Sequence, residues 1–338
     1  MNITFRFSLI VCTYMRPVPL LKLLQSVQKQ TLYPNEILII DGSTNNETEL
    51  LLNKTKNDKL RYFLVSDEER GLTKQRNFGI LEVASDSEIV CFLDDDTILE
   101  ENYFEELIKT YTVCSGALGV GGYINNETKW DQVDQDYNKT LINDFYFDGW
   151  KRKDGSRFIL RKKLHLDSNC PPGFLPLFSH GRSVGFLPPS GKIYEVEQLM
   201  GGVSSFRKSV FEKLSFSTYF QGYGLYEDAD FTLRVAKIGK LYINTNAKLS
   251  HFHADSGRPN QYDYGKMVVR NGWYVWRIKN PNPTLKDRFK WNVITILLTL
   301  IRLANVVSSS DKKMSLIESI GRTIGWFSLI FSKPKEEK

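Results

Sequence analysis

Three adjacent carboxylates, Asp94, Asp95 and Asp96, are the side chains in this sequence best suited to chemistry. They follow residues 89–93, an apolar run of β-branched and aromatic types that predicts a buried strand. Like charges at the end of a core strand repel one another unless a cation or hydrogen-bond donors lie there. A divalent ion, Mg²⁺ or Mn²⁺, shared with substrate phosphates fits this position. Alternatively the acids only cap a helix, since residues 97–100 have capping-box spacing.

Four apolar runs alternate with helical patterns over the first hundred residues. The runs at 7–12, 36–40, 60–65 and 89–93 predict strands, and amphipathic segments between them predict helices. This alternation is typical of an α/β fold with a doubly wound, mostly parallel sheet, in which ligands bind at the carboxyl ends of the strands.

The predicted strand ends carry side chains that suit a nucleotide. Thr13 and Tyr14 end the first strand, and Asp41 ends the second, where an acid can accept hydrogen bonds from a ribose or a base. Arg76 lies near the start of the third helix, a position that suits phosphate oxygens. The first strand is not followed by Gly-x-Gly-x-x-Gly, and no Gly-Lys-Ser or Gly-Lys-Thr phosphate loop occurs, which disfavours dinucleotide-binding and P-loop proteins.

Composition sets broad limits on the class of protein. The 338 residues suffice for one large domain or two smaller ones. The four cysteines are widely spaced, as in proteins of a reducing compartment, and indicate neither a disulfide framework nor a cysteine zinc site. The first apolar run is too short for a signal peptide or a membrane span, so we expect a cytoplasmic protein.

In order along the chain, four segments resemble the successive motifs of the family 2 glycosyltransferases: 8–14, 36–43, 71–80 and 92–96. The resemblance implies the GT-A fold, with a Rossmann-like nucleotide-binding half followed by an acceptor half.

The resemblance also implies roles for individual residues in donor binding. Asp94 and Asp96 would hold the sugar nucleotide and its divalent metal, with Asp95 beside them. Asp41 would contact the nucleoside, and Arg76 matches the arginine of the third motif. Thr13 and Tyr14, at the end of the first strand, complete the set that we expect at the donor.

The second half of the chain resembles the family again at residues 200–207 and 222–234. The first segment places Gly202 and Arg207 on the acceptor side. The second resembles the Glu-Asp motif, which implies that Asp228 is the general base and that Glu227 lies beside it. Without the upstream motifs, these acids would be interpreted as an ordinary first helical turn, favoured by the helix dipole.

Two histidines follow a short predicted strand near residue 250. His251 and His253 are separated by one residue, so they would face the same way on a strand, and an imidazole suits a further metal ligand. Some family members use a histidine here, and we expect His251 to take this role rather than His253. A structural histidine is the equal alternative.

The last part of the chain is basic. From residue 283 onward, 10 Lys or Arg against 5 Asp or Glu give +5 of the total charge of +6. Apolar stretches at 291–307 and 314–331 are interrupted by Arg302 and Arg322. Such basic amphipathic helices suit an anionic membrane surface. A helical hairpin packed on the protein or on a second subunit is the alternative.

Together these features predict residues 1–282 as a catalytic domain, with a nucleotide-sugar half at 1–124 and an acceptor half at 125–282, followed by the tail at 283–338. We expect an inverting, metal-dependent glycosyltransferase that moves a sugar from a nucleotide diphosphate sugar to a hydroxyl of a glycan or lipid-linked acceptor. The expected process is cell-surface polysaccharide or glycolipid synthesis. It would take place in the cytoplasm or peripherally on the inner face of the membrane, with no nucleic-acid partner.

Two other classes remain open from the sequence. Residues 93–98 superficially resemble the nucleophile motif of haloacid-dehalogenase phosphatases, although Ile98 stands where that motif has Thr or Val, and the later Gly-Asp-x-x-x-Asp is not found. The other class is a non-catalytic nucleotide-sugar-binding protein. The acids at 94–96 together with Glu227 and Asp228 disfavour it.

Overall fold

The structure is a computed structural model that describes residues 5–54, 57–134, 142–253, 259–308 and 311–335. The chain divides into two compact units. The first comprises residues 1–128 and 189–257, and the second comprises residues 129–188 and 258–338. All of the predicted site residues lie in the first unit.

The helices and strands, in chain order, are β1 (Phe7–Thr13), α1 (Pro17–Val27), β2 (Glu36–Asp41), α2 (Glu47–Leu52), β3 (Leu60–Leu64), α3 (Leu72–Glu82), β4 (Ile89–Asp94), β5 (Thr97–Leu99), α4 (Tyr103–Val113), β6 (Ala117–Ile124), β7 (Asp131–Gln132), β8 (Asp144–Phe147), β9 (Trp150–Lys153), α5 (Ser156–Lys163), β10 (Ile193–Val196), β11 (Val203–Arg207), α6 (Glu227–Ala236), β12 (Lys240–His251), α7 (Gln261–Lys279), α8 (Leu285–Ser308) and α9 (Lys312–Phe331). Short 3-10 helices occupy Val184–Phe186 and Lys208–Glu212.

The first unit is built on a nine-stranded sheet in the order β10-β12-β6-β11-β4-β1-β2-β3, with β5 paired to β12. Strands β4, β1, β2 and β3 are all parallel, and β11 runs antiparallel between β4 and β6. The apolar strands β1, β2 and β4 are almost fully buried because helices cover them. The predicted α/β class with a doubly wound sheet is confirmed.

The pairing register of the parallel strands brings the predicted strand ends to one edge of the sheet. Cys12 of β1 aligns with Asp94 of β4, and Thr13 aligns with Asp41 of β2. The parallel strands therefore deliver all of these residues to the same side of the unit, as the alternation of strands and helices predicts.

The alternative interpretation of the acids as a helix cap is wrong. Residues Thr97–Leu99 form β5, which pairs antiparallel with β12, and α4 begins only at Tyr103. The Thr97 hydroxyl donates to the carbonyl oxygen of Asp94 (2.8 Å). It thus tightens the turn after β4 and does not cap a helix.

The second unit contains a small antiparallel sheet, β7-β9-β8, together with α5, α7, α8 and α9. Helices α7 and α9 approach closely at glycines, since a Cβ on Gly321 would lie 2.1 Å from the Tyr262 carbonyl oxygen. Helix α9 also packs on α8. Glu318 of α9 pairs with Arg302 of α8 and with Arg322 of α9 itself, at 2.7 Å each. The predicted tail helices therefore form a packed hairpin. Residues Leu285–Val307 are, by length and composition, apolar enough to cross a membrane.

Candidate active site

The three acids at the end of β4 have different environments. Asp95 is buried, accepts a hydrogen bond from the Thr13 hydroxyl (2.7 Å) and pairs with Arg16 (3.2 Å). Burial raises the pKa of Asp95 to about 6, although Thr13 and Arg16 oppose the rise. Asp94, in contrast, keeps 40% of its side chain exposed. Asp95 therefore holds β1 and β4 together, whereas the Asp94 carboxylate is partly open to solvent.

Antiparallel pairing of β5 with β12 brings His251 to the acids. His251 aligns with Thr97, and its Nε2 lies 3.0 Å from Oδ1 of Asp96. Burial by itself lowers the pKa of His251, but the carboxylates of Asp96 and Glu127 outweigh it and raise the pKa to about 10. One atom each of Asp94, Asp96 and His251 lie within 4.8 Å of one another.

These atoms fit a divalent metal ion. Two carboxylate oxygens and one imidazole nitrogen form a donor set that Mn²⁺ accepts, and Mg²⁺ is also compatible with the carboxylates. Without a cation, the same carboxylates are balanced by the guanidinium of Arg16, 3.6 Å from Asp96, and by protonated His251. Neighbouring carboxylates repel one another, so this cluster is stabilised by a nearby cation.

Glu127 is a residue that the sequence interpretation missed. Its Oε1 lies 3.6 Å from Nδ1 of His251 and 2.9 Å from Nε2 of His253. A carboxylate behind a histidine fixes the tautomer and the orientation of a metal-ligating ring. The available signal was its position three residues after the end of β6, a strand that is parallel to β12.

Arg76 is buried between two aromatic rings. Its guanidinium carbon lies 5.7 Å from the ring centre of Phe92 and 5.2 Å from that of Phe216. The guanidinium pairs with the Glu227 carboxylate and lies 3.8 Å from Oδ1 of Asp94. Burial raises the pKa of Glu227 to about 8 in spite of this pairing. Arg76 thus links the β4 acids to the start of α6.

Asp228 lies at the start of α6, one residue after Glu227. Its two carboxylate oxygens accept backbone hydrogen bonds from Gly201 (3.2 Å) and Ala229 (2.8 Å). Burial raises the pKa of Asp228, although both hydrogen bonds oppose the rise. A Cβ on Gly202 would lie 1.9 Å from Cγ of Asp94. Gly201 therefore contacts Asp228, and the adjacent Gly202 lies against Asp94. These two glycines connect the candidate base to a candidate metal ligand.

Comparison with known proteins shows the family. Residues 8–175 match the model for glycosyl transferase family 2. The chain belongs to this family. The match favours a glycosyltransferase over the phosphatase-like and non-catalytic alternatives.

Two relatives match part of this chain. The GalNAc(5)-diNAcBac-PP-undecaprenol beta-1,3-glucosyltransferase of Campylobacter jejuni is 31% identical over 93 residues, which are 27% of this chain and 29% of that protein. The glucosyl-dolichyl phosphate glucuronosyltransferase of Haloferax volcanii is 28% identical over 121 residues, 35% of this chain and 38% of that protein. The matches therefore span less than two fifths of the length of either relative.

A solved structure shows the fold. The crystal structure of GalNAc-T7 with UDP, GalNAc and Mn²⁺ superimposes with a TM-score of 0.52 at 15% identity and covers 82% of this chain and 50% of that chain. The sheet of this glycosyltransferase is therefore the GT-A type that the sequence motifs predict.

Three further residues were predicted for the site, and they have different positions in the first unit. Asp41 is fully buried at the end of β2, where it accepts hydrogen bonds from the Tyr62 hydroxyl (2.9 Å) and the Ser43 amide (2.8 Å). Tyr14 follows β1 and is 40% exposed. Arg207 is not brought to this edge: it aligns with Ile89, at the opposite end of β4, and donates to backbone carbonyls near β6. The antiparallel direction of β11 causes this separation.

Proposed function

We propose that the chain is an inverting, metal-dependent glycosyltransferase that uses a nucleotide diphosphate sugar. Two observations together carry the proposal: Asp94, Asp96 and His251 have atoms within 4.8 Å of one another, and Asp228 accepts a hydrogen bond from Gly201, whose neighbour Gly202 lies against Asp94. The proposal keeps residues 1–124 as the nucleotide-sugar half, residues 125–282 as the acceptor half and residues 283–338 as the tail.

Asp94, Asp96 and His251 would hold Mg²⁺ or Mn²⁺. When bound, the ion neutralises charge that develops on the diphosphate as it leaves. The GalNAc-T7 crystal structure includes Mn²⁺ and UDP, which supports the same class of ligand for this fold. Glu127 would hold the His251 ring in place through Nδ1.

Asp228 is proposed as the general base. Its carboxylate takes the proton from the acceptor hydroxyl while the hydroxyl oxygen bonds to the anomeric carbon. The bond from that carbon to the diphosphate oxygen breaks on the opposite face, so a single displacement inverts the configuration. Burial raises the pKa of Asp228, which makes its carboxylate a stronger base than an exposed aspartate. Arg76 is proposed to position this segment, because it links Glu227 to Asp94.

The donor would lie across the ends of β1, β2 and β4. Asp41 and Tyr14 are proposed at the nucleoside, whereas Thr13 and Asp95 are proposed to fix the backbone that contacts it. Asp41 is held by Tyr62 and Ser43, so its orientation is set before the donor arrives. Gly202 and Glu227 would face the acceptor side.

The proposed acceptor is a lipid-linked glycan in cell-surface polysaccharide or glycolipid synthesis. The names of both relatives specify polyprenyl-linked substrates, an undecaprenol diphosphate and a dolichyl phosphate. Such an acceptor requires a place at a membrane. The exposed apolar residues of α8 and α9 support a peripheral location on the inner face of the cell membrane.

Two substitutions test the proposal. Asp228→Asn is expected to keep metal-dependent donor binding and to lose transfer, whereas Asp96→Ala is expected to lose metal-dependent donor binding. Binding is measured as the thermal shift produced by UDP, GDP and dTDP sugars with and without Mn²⁺. Transfer is measured with the donor that gives the largest shift. Transfer by Asp228→Asn at the unmodified rate would contradict the assignment of the base.

A further inference from the structure

A cavity of about 500 Å³ lies among helices α7, α8 and α9 of the second unit. Its wall contains four of the six tryptophans of the chain: Trp273, Trp276, Trp291 and Trp326. The cavity is formed where α7 ends, α8 begins and α9 ends, so it is separate in sequence from every residue of the proposed catalytic site.

The aromatic wall is held in a fixed arrangement. The rings of Trp276 and Trp291 stack with centres 5.1 Å apart and planes 8° apart. The indole nitrogen of Trp326 donates to the side-chain oxygen of Asn292 (2.9 Å). Trp291 is 3% exposed, and its buried Nε1 donor finds no acceptor within the described part of the chain. A buried donor without an acceptor costs free energy.

The charged side chains found in the cavity wall are cations. Arg277, Arg288 and Lys333 contribute to the lining, and no acidic residue from the described part of the chain does. The Arg277 guanidinium lies 5.7 Å from the ring centres of both Trp273 and Trp276. Three cations beside an aromatic wall favour an anion with several acceptor oxygens.

Apolar residues surround this basic cavity. Helix α8 exposes a stripe at helical spacing, and α9 exposes another: Phe289, Ile296, Leu300, Leu303 and Val307 on α8, and Leu316, Ile320, Ile324, Phe327 and Phe331 on α9. The opposite faces of the two helices are joined through buried Glu318, so the stripes belong to a packed hairpin. Ile330 is 62% exposed and also lines the cavity. The apolar surface therefore continues to the cavity itself.

We propose that this cavity binds the phosphate headgroup of an anionic membrane phospholipid while the apolar stripes contact its hydrocarbon chains. A basic site next to aromatic and apolar side chains matches the boundary between lipid headgroups and hydrocarbon. A soluble phosphate would use the cations alone, and an apolar partner helix would use the apolar stripes alone. The proposal deepens the membrane location proposed above, and it is independent of the identity of the transferred sugar.

Vesicle binding by the full chain tests this site. The pair Arg288→Gln and Lys333→Gln removes two cavity cations, and the pair Lys312→Gln and Lys313→Gln removes two exposed charges at the other end of α9 as the matched control. Flotation uses phosphatidylcholine vesicles with and without phosphatidylglycerol. We expect the cavity pair to weaken binding to the anionic vesicles by at least about tenfold more than the control pair. An equal loss in both pairs, or no binding to anionic vesicles, overturns the proposal.

Tryptophan fluorescence provides a second readout. Because most of the tryptophans line the cavity, brominated phosphatidylglycerol is expected to quench the unmodified protein strongly and the cavity pair weakly. Inorganic phosphate without lipid should leave the fluorescence unchanged, and an equal response to phosphate would identify a soluble anion as the ligand. Lys333→Glu, at an exposed position after α9, tests the same site if the double variant fails to fold.

Donor hydrolysis separates the two proposals. The cavity pair should hydrolyse the sugar nucleotide in lipid-free solution like the unmodified chain, since the proposed catalytic residues are unchanged. If the unmodified chain binds vesicles but hydrolyses no sugar nucleotide, the proposed function is contradicted and the lipid site is still supported.

Discussion

Replacing Gly202 by alanine perturbs the candidate metal site without changing a charge. The new Cβ would lie 1.9 Å from Cγ and 2.0 Å from Oδ2 of Asp94. Carbon atoms in ordinary contact are about 3.5 Å apart, so the Asp94 carboxylate would have to retreat by roughly 1.5 Å. The backbone cannot easily yield, because the Asp94 amide donates to the Gly202 carbonyl (3.1 Å). Overpacking of this kind costs about 1–3 kcal/mol.

We expect Gly202→Ala to weaken metal binding more than it lowers the stability of the fold. The Asp94 side chain is 40% exposed, so it can rotate toward solvent and relieve the clash at the low end of that range, about 1 kcal/mol of unfolding free energy. A rotated carboxylate no longer contributes its oxygen. We therefore expect the affinity for Mn²⁺ in the presence of donor to fall by about 10- to 100-fold, the range seen when the support of a metal ligand is lost.

Calorimetric titration with Mn²⁺ measures this affinity, and a urea unfolding curve measures stability. Gly116→Ala is the matched control, because a Cβ there meets nothing within 4 Å. It should leave metal affinity unchanged. If Gly202→Ala binds Mn²⁺ and donor as tightly as the control does, Asp94 is not a metal ligand and the reasoning is refuted.

Three further outcomes are expected. Asp228→Asn should lower the transfer rate by about 10²- to 10⁴-fold in a radiolabelled-sugar assay, with donor affinity unchanged; a loss of donor affinity instead would point to a binding role. Because the pKa of His251 is raised to about 10, Mn²⁺ must displace a proton at neutral pH. Its affinity should therefore rise with pH by up to about tenfold per unit, a dependence absent from His251→Ala. Glu318→Gln removes the buried partner of Arg302 and Arg322 and should lower the unfolding free energy by about 2 kcal/mol in urea, whereas an unchanged midpoint would show that the pairing contributes nothing.

Local pattern predicted much of the first unit. The apolar run 89–93 became most of β4, and the run 36–40 became most of β2. These strands are continuous hydrophobic runs because both faces of a parallel sheet are covered by helices. A run of this kind is recognisable from only a few neighbouring residues. The same local reasoning missed α7, a helix of 19 residues. Its first half approaches α9 closely at Gly265, Gly321 and Gly325, a contact that periodicity does not reveal.

The candidate site was predicted as residue types rather than as contacts. The sequence indicated Asp94 and Asp96, which lie close to His251, and Asp228, which accepts a hydrogen bond from Gly201, the neighbour of Gly202 beside Asp94. It also indicated Arg207, which lies at the far end of β11 because that strand runs antiparallel to β4. Arg76 was expected to serve phosphate oxygens, and its guanidinium instead pairs with Glu227 across 151 residues.

The amino-acid sequence alone determined the alternation of strands and helices in the first hundred residues, the family motifs and the acids at the strand ends, because each depends on neighbours along the chain. Only the tertiary structure decided which distant side chains meet. Pairing of β5 with β12 brings His251 to Asp96, and Glu127 reaches the same ring from the end of β6. Strand order and direction set these contacts, and both follow from the packing of the whole sheet.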